Sequence, residues 1–451
     1  MTSSLTRWLD ATRRSCDMHV EAIPWSHSKE WVFDGRHLRH IVGAFFAVVG
    51  AALYVNGERQ VHLDQPLIDQ PEIGILGFLI RTGRDTTDIL VQAKPEPGNV
   101  GLVQAAPSVQ ATESNYRRRH HGKPTPLLEY FLAPGKATVL SDTLQSEQGT
   151  RFLAKYNRNM VVAVPHDASL PEGSALKWFS IHELHPLLLQ DFQINTDARS
   201  VLASGPWRLL ASERRPFGRW SGRGGLGEAF LHSFDAPEDR CALPTTHIIE
   251  RLRRLRSTAE FVPAVVSLTD LAAWEITDAA IRSTQRDTFA VRQFAVATTE
   301  REVTHWDQPL LASPVEGQVV LLCQERAGIL HFLFNARPEI GFRERFQYGP
   351  SIQDLGDESM ILPALQDQAA ALRDARARSD PLLSSLHSDE GGRFFRCISR
   401  YGICLLPRDE PIDLGDTLSW MTLGQIQVLV RHAGFFSNEA RSLISMMLAY
   451  L

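Results

Sequence analysis

Cysteine is scarce in this 451-residue chain, and its absence from the usual patterns excludes several classes at once. The five residues Cys16, Cys241, Cys323, Cys397 and Cys404 are scattered, with no C-x-x-C pair. That spacing argues against a disulfide framework or a cysteine zinc site and points to a reducing, cytoplasmic compartment. Charge of one sign is also lacking. A formal net charge of -5 gives no global reason to bind nucleic acid or an anionic membrane, so any anionic ligand has to meet a local basic patch. No long hydrophobic run is present. The longest, Ile41 to Val55, is interrupted by Gly43 and Gly50 and is too short to span a bilayer easily. It reads as a buried strand with a turn. The first ten residues carry no apolar core of signal-peptide length.

The common catalytic signatures are missing as well. There is no Walker A motif and no G-x-S-x-G elbow. Gly222 to Gly227 fits G-x-G-x-x-G in spacing, but no apolar strand precedes it, so it reads as a flexible loop. His182-Glu183-Leu184-His185 falls one residue short of the zinc-protease spacing and runs into Pro186. These histidines read as solvated linker residues, and no metal is expected.

What the chain does have is an internal repeat. Shifted by 243 positions, Asp64-Gln65-Pro66-Leu67 falls on Asp307-Gln308-Pro309-Leu310, and Ala93-Lys94-Pro95-Glu96 on Ala336-Arg337-Pro338-Glu339. Gly98 falls on Gly341, Gln104 on Gln347, and Pro107-Ser108-Val109-Gln110 on Pro350-Ser351-Ile352-Gln353. About a third of positions 64–110 are identical without a gap, against roughly three positions from average composition. At offset 242, Ser146, Gly149, Arg151, Phe152 and Arg158 meet Ser388, Gly391, Arg393, Phe394 and Arg400. A period this long in two copies means a duplicated domain rather than a solenoid. The division expected is an N-terminal module over 1–164, a helical and loop linker over 165–263, and a repeat module over 264–451.

Each copy reads as mixed α/β, rich in antiparallel hairpins. Strands are predicted over 73–81, 88–94, 139–144 and 160–164, and in the second copy over 319–324 and 330–335 around a turn at Ala327-Gly328. Helices are predicted over 3–16, 245–257 and 366–378, with a short one beginning in 148–155 and a helical connection over 170–189.

The polar text is concentrated where strands end. Lys94, Glu96 and Asn99 follow an apolar strand, and the repeat keeps the charges as Arg337 and Glu339. Gln110 and Asn115 precede Tyr116, Arg117, Arg118, Arg119, His120 and His121, a cluster able to hold a pyrophosphate by forked bonds with an aromatic to stack on a base. The second copy is acidic there, so the two sites are not equally equipped. Glu147 and Arg151, then Asn157, Arg158 and Asn159, suit ligand hydrogen bonding, while a Glu147–Arg151 pair at i,i+4 is the structural alternative.

The segments QPEIGILGFL (70–79), QAKPEPGN (92–99), PSVQATESNY (107–116), LEYF (128–131), LQSEQG (144–149) and NRNM (157–160) resemble the NDP-hexose 2,3-dehydratases of antibiotic deoxysugar biosynthesis. The resemblance runs through most of the chain, the first half more closely. It implies tandem Nudix-like α/β/α modules in a homodimer, although no Nudix box is present. It implies a TDP-4-keto-6-deoxyhexose substrate and a downstream 3-ketoreductase or aminotransferase. The substrate's own C4 ketone is the electron sink, so no cofactor is required. A base takes the C3 proton and an acid assists loss of the C2 hydroxyl. On this resemblance Glu147 is the first candidate base and Glu96 the second, with His120 or Tyr130 as acid. Lys94, Arg117, Arg118, Arg151 and Arg158 would meet the diphosphate or the ketone. Gln110, Asn115, Asn99, Asn157 and Asn159 would meet base or sugar, and Tyr116 would stack on thymine. Arg337, Glu339, Gln347, Arg393 and Arg400 would form a second site. The rival readings are a Nudix-type sugar-nucleotide pyrophosphatase and a non-catalytic nucleotide-sugar binding protein.

Overall fold

The structure is a computed structural model that describes residues 3–43, 45–83, 86–113, 125–133, 135–167, 175–211, 215–285, 287–299, 303–356 and 365–451. Its described residues form four sheets and the helices that pack on them, and the sheets come in two matched pairs. In the first large sheet the order is Thr138–Ser146, Tyr156–Ala163, Gly74–Thr82, Thr87–Pro95, Leu176–Ser180. In the second, Asp380–Ser388, Ile398–Leu405, Gly317–Arg326 and Ile329–Pro338 follow in the same order. Each contains one parallel pair, Tyr156–Ala163 with Gly74–Thr82 and Ile398–Leu405 with Gly317–Arg326. Even the register irregularities repeat, at Val139/Ser141 and at Pro381/Leu383.

Alternation along the strands decides which face each residue takes. Leu76, Phe78 and Ile80 join the large core with the Thr196–Ala203 helix, while Ile75 and Leu79 pack in a separate cluster on the opposite face with Phe131. Buried serines bridge the hairpins in both copies. The Ser108 hydroxyl donates to Leu90 O and accepts from Leu79 N, and Ser351 does the same between Leu333 O and Leu322 N.

The copies are interlocked rather than merely adjacent. The His19–Ile23 strand, which precedes the first small sheet, pairs with Ala290–Ala297 in the second. Its counterpart Phe261–Val266 pairs with Ala47–Val55 in the first. Trp31 donates its indole N–H to Asp307 O at 2.9 Å, and Trp274 donates to Asp64 O at 2.8 Å. The backbone closes the exchange: Gly98 N donates to Gly391 O and Arg396 N to Gly98 O, while Gly341 N donates to Gly149 O and Ala154 N to Gly341 O, all at 2.8 Å.

Several expectations hold: the helices Ser4–Ser15, Thr245–Ser257 and Gln366–Ala377, and the buried strand Ala47–Val55. Others need correction. Within 170–189 the described residues begin with a strand, Leu176–Ser180, because Trp178 and Phe179 face opposite sides of a sheet edge on Thr87–Pro95; only Ile181–Leu184 is α-helical. Residues 148–155 form turns that cross to the other copy, not a helix. His185 is not solvated. It is buried, and burial pushes its imidazole down to about 3. Gly225 opens the helix Gly225–Phe234, so only the first part of the Gly-rich text is loop. No helix among the described residues is long and apolar enough to cross a membrane.

Candidate active site

The buried polar groups collect between the two copies, in two arrangements related by the repeat. In the first, Lys94 lies 3.5 Å from Glu96 Oε1, which also accepts from Gln110 Nε2 at 3.1 Å. Gln110 Oε1 in turn accepts from Asn195 Nδ2 at 3.1 Å. Asn195 is the N-cap of the Thr196–Ala203 helix, its side chain accepting from Ala198 N. That satisfies one of the helix's orphan amides. In the second arrangement Arg337 lies 3.3 Å from Glu339 Oε1, Gln353 Nε2 donates to the same oxygen at 3.1 Å, and Ser437 caps the Asn438–Met447 helix.

Each arrangement is completed by the other copy. Gln104 Nε2 donates to Ser388 Oγ at 2.8 Å, and Ser146 Oγ donates to Gln347 Oε1 at 2.7 Å. Arg393 stands over the Phe46 ring and Arg151 over the Phe289 ring, both at 4.2 Å. Arg393 also donates to Gln70 Oε1, at 3.3 Å from Nε. The side chain of Glu390 enters the first arrangement from the second copy. A β-carbon placed on Gly392 would lie 3.1 Å from Glu390 Oε1 and 3.7 Å from Glu96 Oε1, so the two carboxylates share one small space.

Glu147 is buried in the first arrangement. Asn157 Nδ2 donates to its Oε1 at 2.7 Å and Asn438 Nδ2 to its Oε2 at 3.0 Å. Its backbone N–H donates to Lys155 O. The buried Lys155 ammonium donates to Glu72 O, and desolvation pulls its pKa down to about 8. Burial pushes Asp197 well above the ordinary carboxylate range, with Glu390, Glu147 and Glu96 adding to the shift. Glu390 is pushed up to about 7, first by desolvation, with Arg393 opposing it and Glu96 and Glu147 reinforcing it. In the second arrangement Asp389 is pushed up to about 7, again first by desolvation and then by Glu439. Groups whose affinities for a proton lie near neutrality suit general acid–base work.

The sequence-predicted residues divide by placement. Lys94, Glu96, Gln110, Glu147 and Asn157 come together in the first arrangement; Arg337, Glu339, Gln347 and Arg151 lie in or beside the second. Arg393, assigned by its position to the second copy, serves the first arrangement instead. Arg158 pairs with Asp142 at 2.6 Å and Arg400 with Glu316 at 3.1 Å. Asn159 donates to Ser200 Oγ at 2.6 Å, and Asn99 Nδ2 to Leu102 O at 3.1 Å. Tyr130 packs on the apolar cluster of Ile75, Leu79 and Leu90, across the sheet from the Thr196–Ala203 helix. Asn115, Tyr116, Arg117, Arg118 and His120 lie outside the described residues. The Glu147–Arg151 pairing is not among the bonds that hold Glu147, which go to Asn157 and Asn438.

Sequence reasoning missed Lys155, Asp197, Asn195, Asn438, Asp389 and Glu390. One signal was available for some of them: Asn195-Thr196-Asp197-Ala198-Arg199 repeats at offset 242 as Ser437-Asn438-Glu439-Ala440-Arg441. Among the described residues, no group of three or more His, Cys, Asp or Glu is arranged to hold a metal ion.

Comparison with known proteins returns the same duplication. The family model described as NDP-hexose 2,3-dehydratase matches twice, over residues 2–204 and 245–447. Three curated relatives carry the name dTDP-4-dehydro-6-deoxy-alpha-D-glucopyranose 2,3-dehydratase. The one from Saccharopolyspora spinosa is 33% identical, over 98% of this chain and 90% of its own length. That from Amycolatopsis orientalis is 32% identical over 98% and 89%, and that from Streptomyces violaceoruber 33% over 98% and 96%. With two interlocked copies, both matched, and relatives aligned almost end to end, the chain belongs to the NDP-hexose 2,3-dehydratase family.

Proposed function

We propose that the chain removes water across C2 and C3 of a dTDP-4-dehydro-6-deoxyhexose of gluco configuration, and that it does so in the first of the two arrangements. The C3 hydrogen is acidic because it lies beside the C4 ketone, and the C2 hydroxyl is β to that ketone. Loss of the C3 proton places charge on the C4 oxygen, and return of that charge expels the C2 oxygen. The enol left behind tautomerises to a 3,4-diketone. Such a reaction asks for a base, a proton for the departing oxygen, and cationic donors that act where charge develops.

The observation that carries the choice of arrangement is a difference at two repeat-related positions. The first arrangement holds Glu390 and Lys155, both titratable near neutrality. Their counterparts in the second are Gln148, which does not titrate, and Cys397, whose thiol burial pushes up to about 12. Lys94 and Arg393 provide the cationic side, and Glu96, Gln110, Glu147 and Asn157 the hydrogen-bonding frame. Each module is assigned a Nudix-like α/β/α fold, a reading supported by the mixed sheets and the helices packed on them.

The test is a reaction in D2O with dTDP-4-dehydro-6-deoxyglucose, a 3-ketoreductase and NADPH trapping the unstable diketone. A 2-deoxy sugar carrying deuterium at C2 is the expected product. Release of TMP would transfer the reading to a pyrophosphatase, and an intact sugar with TDP still bound would transfer it to a binding protein.

A further inference from the structure

We propose that Glu390, contributed by the second copy, is the catalytic base of the first arrangement, taking the C3 proton and delivering it to the departing C2 oxygen. This rests on the dehydratase reading above. Four carboxylates face that space: Glu96, Glu147, Asp197 and Glu390. The first three are 3%, 5% and 3% exposed, whereas Glu390 is half-buried and so the most exposed of the four. Glu96 is held through Oε1 by Lys94 and Gln110, with its Oε2 buried and without a hydrogen bond among the described residues, and both oxygens of Glu147 accept from buried amides. Glu390 combines that greater exposure with a backbone fixed on several sides. Its carbonyl accepts from Arg393 N at 3.0 Å and Phe394 N at 2.9 Å, and the next residue is pinned by Gly98 N. Gly392 O accepts from Gln308 Nε2 at 2.8 Å and Arg393 Nη1 at 2.7 Å. A base held this firmly meets the positional demand of proton abstraction from carbon.

The charged neighbours set its working range. Arg393 and Lys94 favour the carboxylate; Glu96, Glu147 and Asp197 favour the acid; the Lys155 ammonium lies within reach of Glu390 and Glu147. With burial added, Glu390 titrates at about 7, where a base is still available at neutral pH yet holds a proton well enough to hand it on.

The proton inventory closes with one residue. In a gluco ring the C3 hydrogen and the C2 hydroxyl lie on the same face. The C3–H bond breaks, its proton passes to the Glu390 carboxylate, and its electron pair moves to the C4 oxygen. That pair then returns, the C2–O bond breaks, and the oxygen departs as water with the proton from Glu390. Glu390 is again a carboxylate, and the resulting enol gains a solvent proton at C2 as it loses the one on O3.

The experiment compares full-length wild type, Glu390→Gln and Glu390→Asp on dTDP-4-dehydro-6-deoxyglucose from about pH 5 to 9. Glu390→Gln should lose about 10²–10⁴-fold in kcat, with KM changed less than about threefold, because the uncharged amide keeps the shape but not the proton transfer. Wild-type kcat/KM should fall with unit slope below about pH 7, and Glu390→Asp should keep that limb at lower kcat. Glu390→Gln within about tenfold of wild-type kcat would overturn the assignment, as would a wild-type profile flat down to pH 5. The wild-type profile decides the matter even where the Gln variant does not fold. A wild type that leaves the sugar intact would instead defeat the dehydratase reading itself.

Discussion

Gly98→Ala puts the interlock of the two copies to a quantitative test. Gly98 is not in a left-handed conformation, so alanine carries no backbone strain there; its cost is steric. A β-carbon at Gly98 would fall well inside van der Waals distance of the Phe394 carbonyl, with the Gly391 carbonyl 2.9 Å away. Both neighbours are backbone, so neither can rotate aside. Relief requires parting the copies, which stretches the bonds Gly98 N–Gly391 O and Arg396 N–Gly98 O. Two such bonds are worth about 0.5–1.5 kcal/mol each, and forcing an extra carbon into a packed site costs about 1–3 kcal/mol. The expected loss is therefore about 2–6 kcal/mol. For a chain of this length the unfolding entropy is roughly 0.9 kcal/mol/K, so Tm should fall by about 2–6 °C. Gly341→Ala meets the same obstruction at Phe152 O and Gly149 O and should lose similar stability. Activity should separate the two. Gly98 holds the turn that carries Glu390, and a displacement near 1 Å there should cost about 10²-fold in kcat, while Gly341 bonds Gly149 O and Ala154 N at the other crossing and leaves the Glu390 turn in place. Differential scanning calorimetry and steady-state kinetics on both variants read the two quantities. A Gly98→Ala protein with wild-type Tm would refute the interlock, and equal losses of kcat in both variants would refute the functional asymmetry.

Two further outcomes follow from buried polar groups. Ser108→Ala leaves Leu79 N and Leu90 O without their bridge, and Ser351→Ala does the same to Leu322 N and Leu333 O. Each should lower stability by about 1–3 kcal/mol in chemical denaturation, and a loss confined to one of them would show that the hairpins are not equivalent. Asp389 titrates at about 7 in the folded chain against 3.8 ordinarily, so the folded state binds the extra proton. Its contribution to stability is complete below about pH 4 and is lost as pH rises through about 7. Asp389→Asn cannot ionise, so relative to wild type it should gain about 2–3 kcal/mol between pH 5 and pH 8. An unchanged difference across that window would show that the carboxyl is not desolvated.

The duplication was legible because it preserves turn and rim residues whose geometry cannot drift: Gly98 and Gly341 at a backbone crossing, Ser108 and Ser351 bridging strands. The strands 73–81 and 88–94 were legible from their apolar runs. Leu176–Ser180 was not, because an edge strand of five residues with Lys177 and Ser180 carries no apolar run to distinguish it from the start of a helix. Of the site, the residues on the rims of the first copy were legible as unpaired polar text. Glu390 was not, for a physical reason. Its repeat partner is Gln148, so the comparison of copies masks it, and it acts in the arrangement opposite to its own copy. Lys155 was hidden similarly, read as part of a short helix beginning in 148–155 and matched by Cys397.

That crossing explains how one chain can hold two matched frames that carry different titratable groups. Each arrangement takes its strand-end charges from one copy and its loop residue from the other, through reciprocal bonds at Gly98 and Gly341 and reciprocal strands at His19–Ile23 and Phe261–Val266. A copy removed from its partner would lose a strand from its small sheet and the loop that closes its site, so the pairing is obligatory for both. Under that constraint the frame residues are held in place by packing: Gln104 with Ser388, Gln347 with Ser146, the two arginines over their phenylalanines. Glutamate at 390 and lysine at 155 place a carboxyl–amine pair in one arrangement; glutamine at 148 and cysteine at 397 leave the other with Asp389 and no such pair. On the proposed assignment, the differences at 148/390 and 155/397 make an asymmetric enzyme of a symmetric scaffold, with the second arrangement retained because the first is built partly from its copy.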